Sequence, residues 1–365
     1  MATPRKTLWK LDPHSQGKHL VLENYLNAWL PIISSWNQRI LFIDGFSGPG
    51  IYEHGESGSP LIAINTFKDH ENLKRSEFEI VFYFIEKDSK RKNYLSSLID
   101  DMKPDLPGRF NIHTVEGEFN ESMVAVLDDI DKQNKQLAPC LAMIDPFGVK
   151  DTPMSIIKRI LNNRNSEVYI SFMYEWINRF KEHDNFEGYL DELYGCKEWR
   201  QAIEIKSALD RKKYFFDLYK TQLRKAGATY VVHFELYEGK RLVYAIFFGT
   251  KSLTGCDKMK QAIWKVAPFG DFAFYGVNEE QFSLDLTSAN FKPLIEQLSK
   301  EFKNKGWVFI KDVLNFVKSD KTGFHSSHVK TKALREMEKQ GLIQINENTR
   351  KRKGSFPDGT QLRFN

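Results

Sequence analysis

A parallel α/β sheet wrapped by helices, carrying a helical insertion and followed by a C-terminal winged-helix domain, is the fold this sequence predicts. Three observations lead there. Buried strands and helices alternate five times between Arg39 and Met173, the pattern of a parallel sheet covered on both faces. A charged helical stretch, about 180–227, interrupts the series after the fifth strand. From Phe291 the order changes to three helices and a hairpin with a basic tip, Arg350-Lys-Arg-Lys-Gly354, which is winged-helix order.

Each element has its local reason. Residues 1–38 read as an N-terminal helical segment in which Leu22, Tyr25, Leu26, Trp29, Leu30 and Ile33 recur at helical spacing, with Pro31 set to end or kink the helix. The stretch 39–44 is almost wholly apolar, as expected of a strand buried on both faces. A Gly-rich loop and a helix near 60–69 follow. Strand 80–85 then ends at Glu86, and helix 89–102 puts Tyr94, Leu95, Leu98 and Ile99 on one side. Strand 110–115, helix 121–131, strand 140–144, helix 153–161 and strand 168–173 complete the series. Segments 230–237 and 241–249 flank Glu238-Gly-Lys240 as a hairpin, and a helix near 257–265 closes a sheet domain spanning 39–267. A linker, 268–290, leads to the winged-helix domain, 291–365.

Composition narrows the class. Hydrophobic residues make up 41% and charged residues 28% of 365, a globular profile. No apolar run approaches the roughly 20 residues that span a bilayer, and the polar start lacks the apolar stretch of a secretory signal. The expectation is a cytoplasmic protein. Cys140, Cys196 and Cys256 are odd in number and widely spaced, which supports neither a disulfide framework nor a metal site. The net charge of +5 hides an asymmetry: residues 300–365 hold fifteen Lys and Arg against seven Asp and Glu, while the rest of the chain is slightly acidic. A basic terminal segment on an acidic body points toward a polyanion, with a solvated charged face as the alternative.

Chemistry concentrates at the predicted strand ends, where open parallel sheets bind ligands. They are Asp44, Glu86, Glu116–Glu118, Asp145 and Tyr174, four of five acidic. Asp44-Gly-Phe-Ser-Gly-Pro-Gly50 follows the first strand. Gly45, Gly48 and Gly50 allow a tight turn and close backbone approach to a ligand, with Phe46 and Ser47 between them. The spacing matches neither the dinucleotide fingerprint nor the P-loop. An acidic residue ahead of the loop favours a cationic group over phosphate. Glu86, 42 positions after Asp44, stands where a carboxylate accepts hydrogen bonds from ribose hydroxyls. Glu116 and Glu118 both stand at the end of the third strand, and which of them faces a ligand stays open. Asp145-Pro146-Phe147-Gly148 follows the fourth strand. A carboxylate and a backbone carbonyl there can accept both N–H bonds of an sp² amine and draw the nitrogen toward tetrahedral geometry, while Phe147 stacks on the base. Lys18 and His19 are candidates for catalysis or substrate binding, with a helix-end surface position as the alternative.

These motifs resemble known patterns. Asp44–Gly50 is similar to motif I of class I S-adenosylmethionine-dependent methyltransferases, whose acidic residue faces the ligand's amino-acid end. Asp145–Gly148 resembles the Asp/Asn-Pro-Pro-Tyr/Phe tetrapeptide of amine-modifying methyltransferases, departing from it at Phe147 and Gly148. Asp-Pro-Phe-Gly itself occurs in tRNA guanine-N2 dimethyltransferases. Lys18-His19, Ile43–Gly50, Gly58-Ser-Pro-Leu-Ile62, Ile144–Gly148 and Tyr244–Lys251, in this order, resemble the three-Cys-motif partner family over about residues 15–365. That resemblance implies a Rossmann-like class I methyltransferase sheet with a C-terminal winged helix. The implied cofactor is S-adenosyl-L-methionine, held by Asp44, Gly45, Phe46, Ser47, Gly48, Gly50, Glu86 and Glu118. It also implies a radical-enzyme-like protein with a three-Cys motif as a partner.

The expected function is therefore methyl transfer to nucleic acid, on a base exocyclic amine. Asp145, Pro146, Phe147 and Gly148 would form the catalytic loop, and Arg350, Lys351, Arg352 and Lys353 would grip the backbone. Rivals are methyl transfer to a protein or small molecule, a catalytically silent nucleotide-binding component of a phage or defence system, and a nuclease. No nuclease metal motif is found.

Overall fold

The structure, a computed structural model, describes residues 6–71, 78–268, 270, 272–275, 289–350 and 352–365. They divide into two compact units. The first runs to Ser252 and includes Phe274 and Tyr275; the second comprises Leu253–Ala273 and the chain from 277 on.

In the first unit, β1 (Arg39–Asp44), β2 (Glu79–Glu86), β3 (Phe110–Glu116), β4 (Cys140–Ile144) and β5 (Glu167–Phe172) are parallel, and α2 (Ser59–Asp69), α3 (Ser89–Met102), α4 (Phe119–Lys132) and α5 (Met154–Asn162) connect them. β6 (Tyr230–Glu238) and β7 (Arg241–Thr250) form the hairpin, and β7 joins β5 antiparallel. With the short β8 (Ala273–Phe274), the order is β3-β2-β1-β4-β5-β7-β6-β8. This is the Rossmann-like α/β sheet that the alternation predicts. β1, β4 and β5 are buried nearly throughout, because helices cover both faces of parallel strands.

The insertion begins earlier than expected. α6 (Tyr174–Phe180) follows β5 almost directly, then α7 (Asp184–Tyr194) and α8 (Ala208–Lys225). α1 (Pro13–Ser34) runs through Pro31. Proline has no N–H for the carbonyl four residues back; that carbonyl, on Asn27, meets the His70 ring nitrogen at 3.1 Å instead. Leu22, Tyr25 and Leu26 of α1 are fully buried, so this segment is part of the first unit and no separate N-terminal piece.

α9 (Leu253–Val266) corrects a second boundary. It closes the second unit, not the sheet domain. Trp264 packs in the second unit's core with Leu294, Val317 and Leu334, and its indole N–H donates to Gly323 O at 2.8 Å. Around it stand α10 (Lys292–Phe302), α11 (Ile310–Lys318) and α12, a continuous run of Ser326–His328, Val329–Leu334 and Arg335–Lys339 with a π-helical middle. β9 (Trp307–Phe309), β10 (Ile343–Ile345) and β11 (Gln361–Phe364) form an antiparallel sheet in the order β10-β11-β9. The 276–288 part of the expected linker lies outside the described residues. Among the described residues no helix is long and apolar enough to cross a membrane.

Candidate functional site

Parallel strands bring their carboxyl ends to one edge, and the site is built there. β1 pairs with β2 on one side and β4 on the other, so the loops after β1 and β4 flank the crevice where such sheets take ligands. Three bonds stitch the Asp44–Gly50 loop down. Gly45 N–H donates to Met143 O at 2.9 Å, Ser47 N–H to Ile85 O at 2.9 Å, and Gly48 N–H to Glu86 Oε2 at 2.9 Å. Gly48 (φ 62°) and Gly50 (φ 85°) occupy the left-handed region that glycine takes without strain. At Gly45 a Cβ would lie 2.4 Å from the Phe119 ring, so no side chain fits.

Asp44 lies beneath this loop, fully buried. Its Oδ1 accepts Phe46 N–H at 3.1 Å, while Oδ2, with Ser59 alongside, completes no hydrogen bond among the described residues. Burial pushes its pKa up to about 7. An incompletely satisfied, buried carboxyl beside a glycine cradle is chemically suited to a cationic ligand group. Glu86 is also buried, and besides Gly48 N–H it takes Asp88 N–H on Oε1 at 2.9 Å. Its carboxylate therefore braces the loop.

The site divides into two cavities. The larger, about 300 Å³, is lined by Phe46–Tyr52, Asp145, Pro146, Phe147, Lys18 and Tyr244, among others. The smaller, about 20 Å³, lies against Gly45, Phe46, Glu86, Glu118, Phe119 and Phe147. Phe147 touches both. Of the predicted residues, Phe46, Ser47, Gly48, Gly50, Asp145, Pro146 and Phe147 thus meet around the larger cavity, and Gly45, Glu86 and Glu118 around the smaller. Glu118 is half-buried, whereas Glu116 is exposed. Asp44, fully buried, and Gly148 (φ 152°) line neither cavity.

The main feature missing from the predicted site is an ion pair. The Lys18 ammonium, 4% exposed, donates to Asp145 Oδ2 at the cavity wall. Tyr169 OH fixes the lysine backbone, donating to Lys18 O at 2.9 Å. Burial opposes both charges, and each partner overrides it: Lys18 is held above its ordinary pKa and Asp145 below. Burial and then Lys18 bring neighbouring His19 down to about 3, leaving it a neutral ring. Spacing carried the signal for Lys18. It precedes Leu22 and Tyr25 by four and seven positions, which puts a cation on the apolar face of α1.

Trp9 is the second feature the sequence reading missed. Its indole meets Tyr52 and Phe147 edge-on, both at 5.8 Å between centroids, and the Arg91 guanidinium lies over it at 5.0 Å. Glu53 N–H donates to Trp9 O at 2.9 Å, holding the segment against the loop. Nothing in the residues around Trp9 marked it beforehand.

The basic tip needs correction. Arg350 is buried, and its guanidinium bonds Glu338 at 2.7 Å and Glu347 at 2.6 and 3.0 Å. It ties α12 to the segment before β11 and is not presented to a polyanion. Lys351 lies outside the described residues, while Arg352 and Lys353 are exposed. Among the described residues no cluster of His, Cys, Asp or Glu could hold a metal ion.

No family's sequence profile matches this chain, and no curated protein matches it. Solved structures do resemble it loosely. An O-methyltransferase from Bacillus cereus in complex with SAH is 14% identical, with a TM-score of 0.34, covering 66% of this chain and 83% of that one. TomG, an O-methyltransferase from Streptomyces achromogenes in complex with SAM, is 11% identical at 0.35, covering 67% and 92%. The N-terminal domain of human METTL16 in complex with SAH is 11% identical at 0.34, covering 69% and 75%. At these scores the fold rests on this chain's own strand order.

Proposed function

We propose that this protein is an S-adenosylmethionine-dependent methyltransferase acting on nucleic acid, at a base exocyclic amine. One observation carries the reading: the glycine cradle over a buried Asp44 and the Asp145-Pro-Phe loop line the same cavity wall. The cofactor supplies an electrophilic methyl group. Asp44 would hold its ammonium, Glu86 its ribose and Glu118 its adenine amino group. Asp145 would accept the acceptor's N–H bonds, and Phe147, on the boundary of both cavities, would stack on the base. The protein's contribution is then alignment and partial desolvation of the two reactants. The nucleoside half has only the 20 Å³ cavity, so its entry requires the wall at Phe147, against which Trp9 packs, to shift.

Nucleic acid is the favoured acceptor because exposed cations of the second unit, Arg352 and Lys353, adjoin a groove lined by Lys330 and Arg335 of α12. Its helices and three-stranded sheet agree with a winged helix, and membership of the three-Cys-motif partner family belongs to the same proposal. The test is transfer of labelled methyl from S-adenosylmethionine to duplex DNA, single-stranded DNA and RNA. Label should enter one of these with the wild type and none with Asp145→Ala. Transfer that persists in Asp145→Ala rules out the amine-orienting role.

A further inference from the structure

We propose that the outer face of the β10-β11-β9 sheet binds unpaired nucleotides, with Trp307 and Phe309 as stacking rings and Arg363 meeting the backbone. The proposal rests on the nucleic-acid reading and goes beyond it, naming a second contact surface and the form of strand it takes.

The register places the residues. Arg363 pairs with Trp307 on one side and with Gln344 on the other, and Gln361 pairs with Phe309. Successive strand residues point to opposite faces. One face of the sheet therefore carries Val308, Ile343, Leu362 and Phe364, which belong to the second unit's core. The other carries Trp307, Phe309, Gln344, Gln361 and Arg363. A sheet that only caps a core turns polar residues to solvent. Here Trp307 is 47% exposed and Phe309 49%, and among the described residues of the second unit they are the exposed large apolar side chains.

Spacing, charge and size all favour nucleotides. The rings stand about 7 Å apart along one strand, twice the ~3.4 Å step between stacked bases. Each ring can thus take one of two successive bases that have been drawn apart. Duplex bases are already stacked on each other, so the platform selects single strands. Residues 302–311 hold three lysines and no Asp or Glu. Lys305 meets Glu301 at 2.6 Å, while Lys303 and Lys311 are exposed on either side of β9. The first acid beyond, Asp312, accepts Phe309 N–H at 3.3 Å. Arg363 is exposed beside Trp307, unlike Arg350, which is spent on two carboxylates. Two rings set among amides and cations are too small an apolar core for a stable protein interface.

The test is fluorescence anisotropy on the full chain with labelled single-stranded DNA and RNA of mixed sequence, and with an abasic strand of equal length. Trp307→Ala and Phe309→Ala should each weaken a base-bearing strand about five- to a hundredfold and leave the abasic strand within about twofold. Both side chains are exposed, so the melting temperature should hold. Arg363→Gln should lower the salt slope by about 0.7, the loss of one phosphate on a single strand. This pattern with either DNA or RNA supports the platform. Wild-type affinity in both aromatic variants overturns it and leaves the nucleic-acid reading in place. If neither strand nor duplex binds the folded wild type, the nucleic-acid reading falls, and the platform with it. If the variants abolish a self-association seen by sedimentation while strand binding is unchanged, the face joins copies of this chain and the platform is overturned.

Discussion

At Asp44 burial bears most directly on the proposed cofactor role. Its pKa stands near 7 because the charged form is desolvated. Folded Asp44 therefore keeps a proton that the unfolded chain loses near 4, so its contribution to stability is present at low pH and declines as pH rises toward 7. Ligand binding runs the other way, since an ammonium needs the carboxylate. Affinity for S-adenosylhomocysteine should fall below pH 7, approaching about tenfold per unit, and Asp44→Asn should abolish that slope. Calorimetry from pH 5.5 to 8.5 checks both. The glycines, Asp44, Glu86 and Asp145 were all legible in the sequence, because strand-end chemistry needs particular residue types at particular places. Glu86 as a brace for Gly48 was not, since backbone acceptors leave no mark on composition. Trp9 was not either: its role arises from contacts with residues 43 to 138 positions away. The expected consequence at Trp9 is optical. Ligand entry should shift its environment, so the intrinsic-fluorescence change on adding S-adenosylhomocysteine should vanish in Trp9→Phe.

At the scale of elements, alternation and apolar runs located β1–β5 within one or two residues: β1, β4 and β5 are buried almost throughout and read as short apolar runs, while β3, the edge strand, is nowhere fully buried and was placed by the strand–helix alternation. The misassigned element was α9. Its apolar spacing says only that one face is buried, and nothing in the helix alone says against what. The deciding groups are long-range. Lys260, fully buried, donates to the carbonyls of Val317, Ser319 and Thr322, and Asp257 accepts the N–H and hydroxyl of Ser326. Burial lowers the Lys260 pKa to about 8, so unfolding takes up a proton between about 8 and 10.5, and the cost of burying this charge declines as pH rises through that window. Lys260→Met takes the ammonium donor from the Ser319 and Thr322 carbonyls, at about 1–3 kcal/mol each, while Val317 O keeps the Thr322 hydroxyl. Urea unfolding at pH 7 should show a loss of at least about 2 kcal/mol, and an unchanged midpoint would remove Lys260 from the account of the second unit.

Over the whole molecule, charge is divided more finely than sequence arithmetic implied. The basic excess after Lys300 includes Arg350, whose charge is spent inside the second unit on Glu338 and Glu347. A run of four cations cannot be apportioned between solvent and interior without the fold. Each phosphate neutralised on duplex contributes a slope of about −0.9 in log affinity against log salt. Arg352→Ala/Lys353→Ala should therefore flatten the salt dependence of duplex binding, whereas Arg350→Ala should leave the slope and lower the melting temperature. Fluorescence anisotropy across a salt series separates the two, and a slope indifferent to Arg352 and Lys353 would place nucleic acid elsewhere. All of this depends on the sheet's carboxyl edge holding S-adenosylmethionine. The most direct measurement is titration calorimetry of folded full-length protein with S-adenosylhomocysteine, alongside Glu86→Ala with its melting curve as a control. Micromolar binding to the wild type, weakened about ten- to a hundredfold in the variant, is the predicted result. No heat of binding from folded protein at millimolar ligand would contradict it.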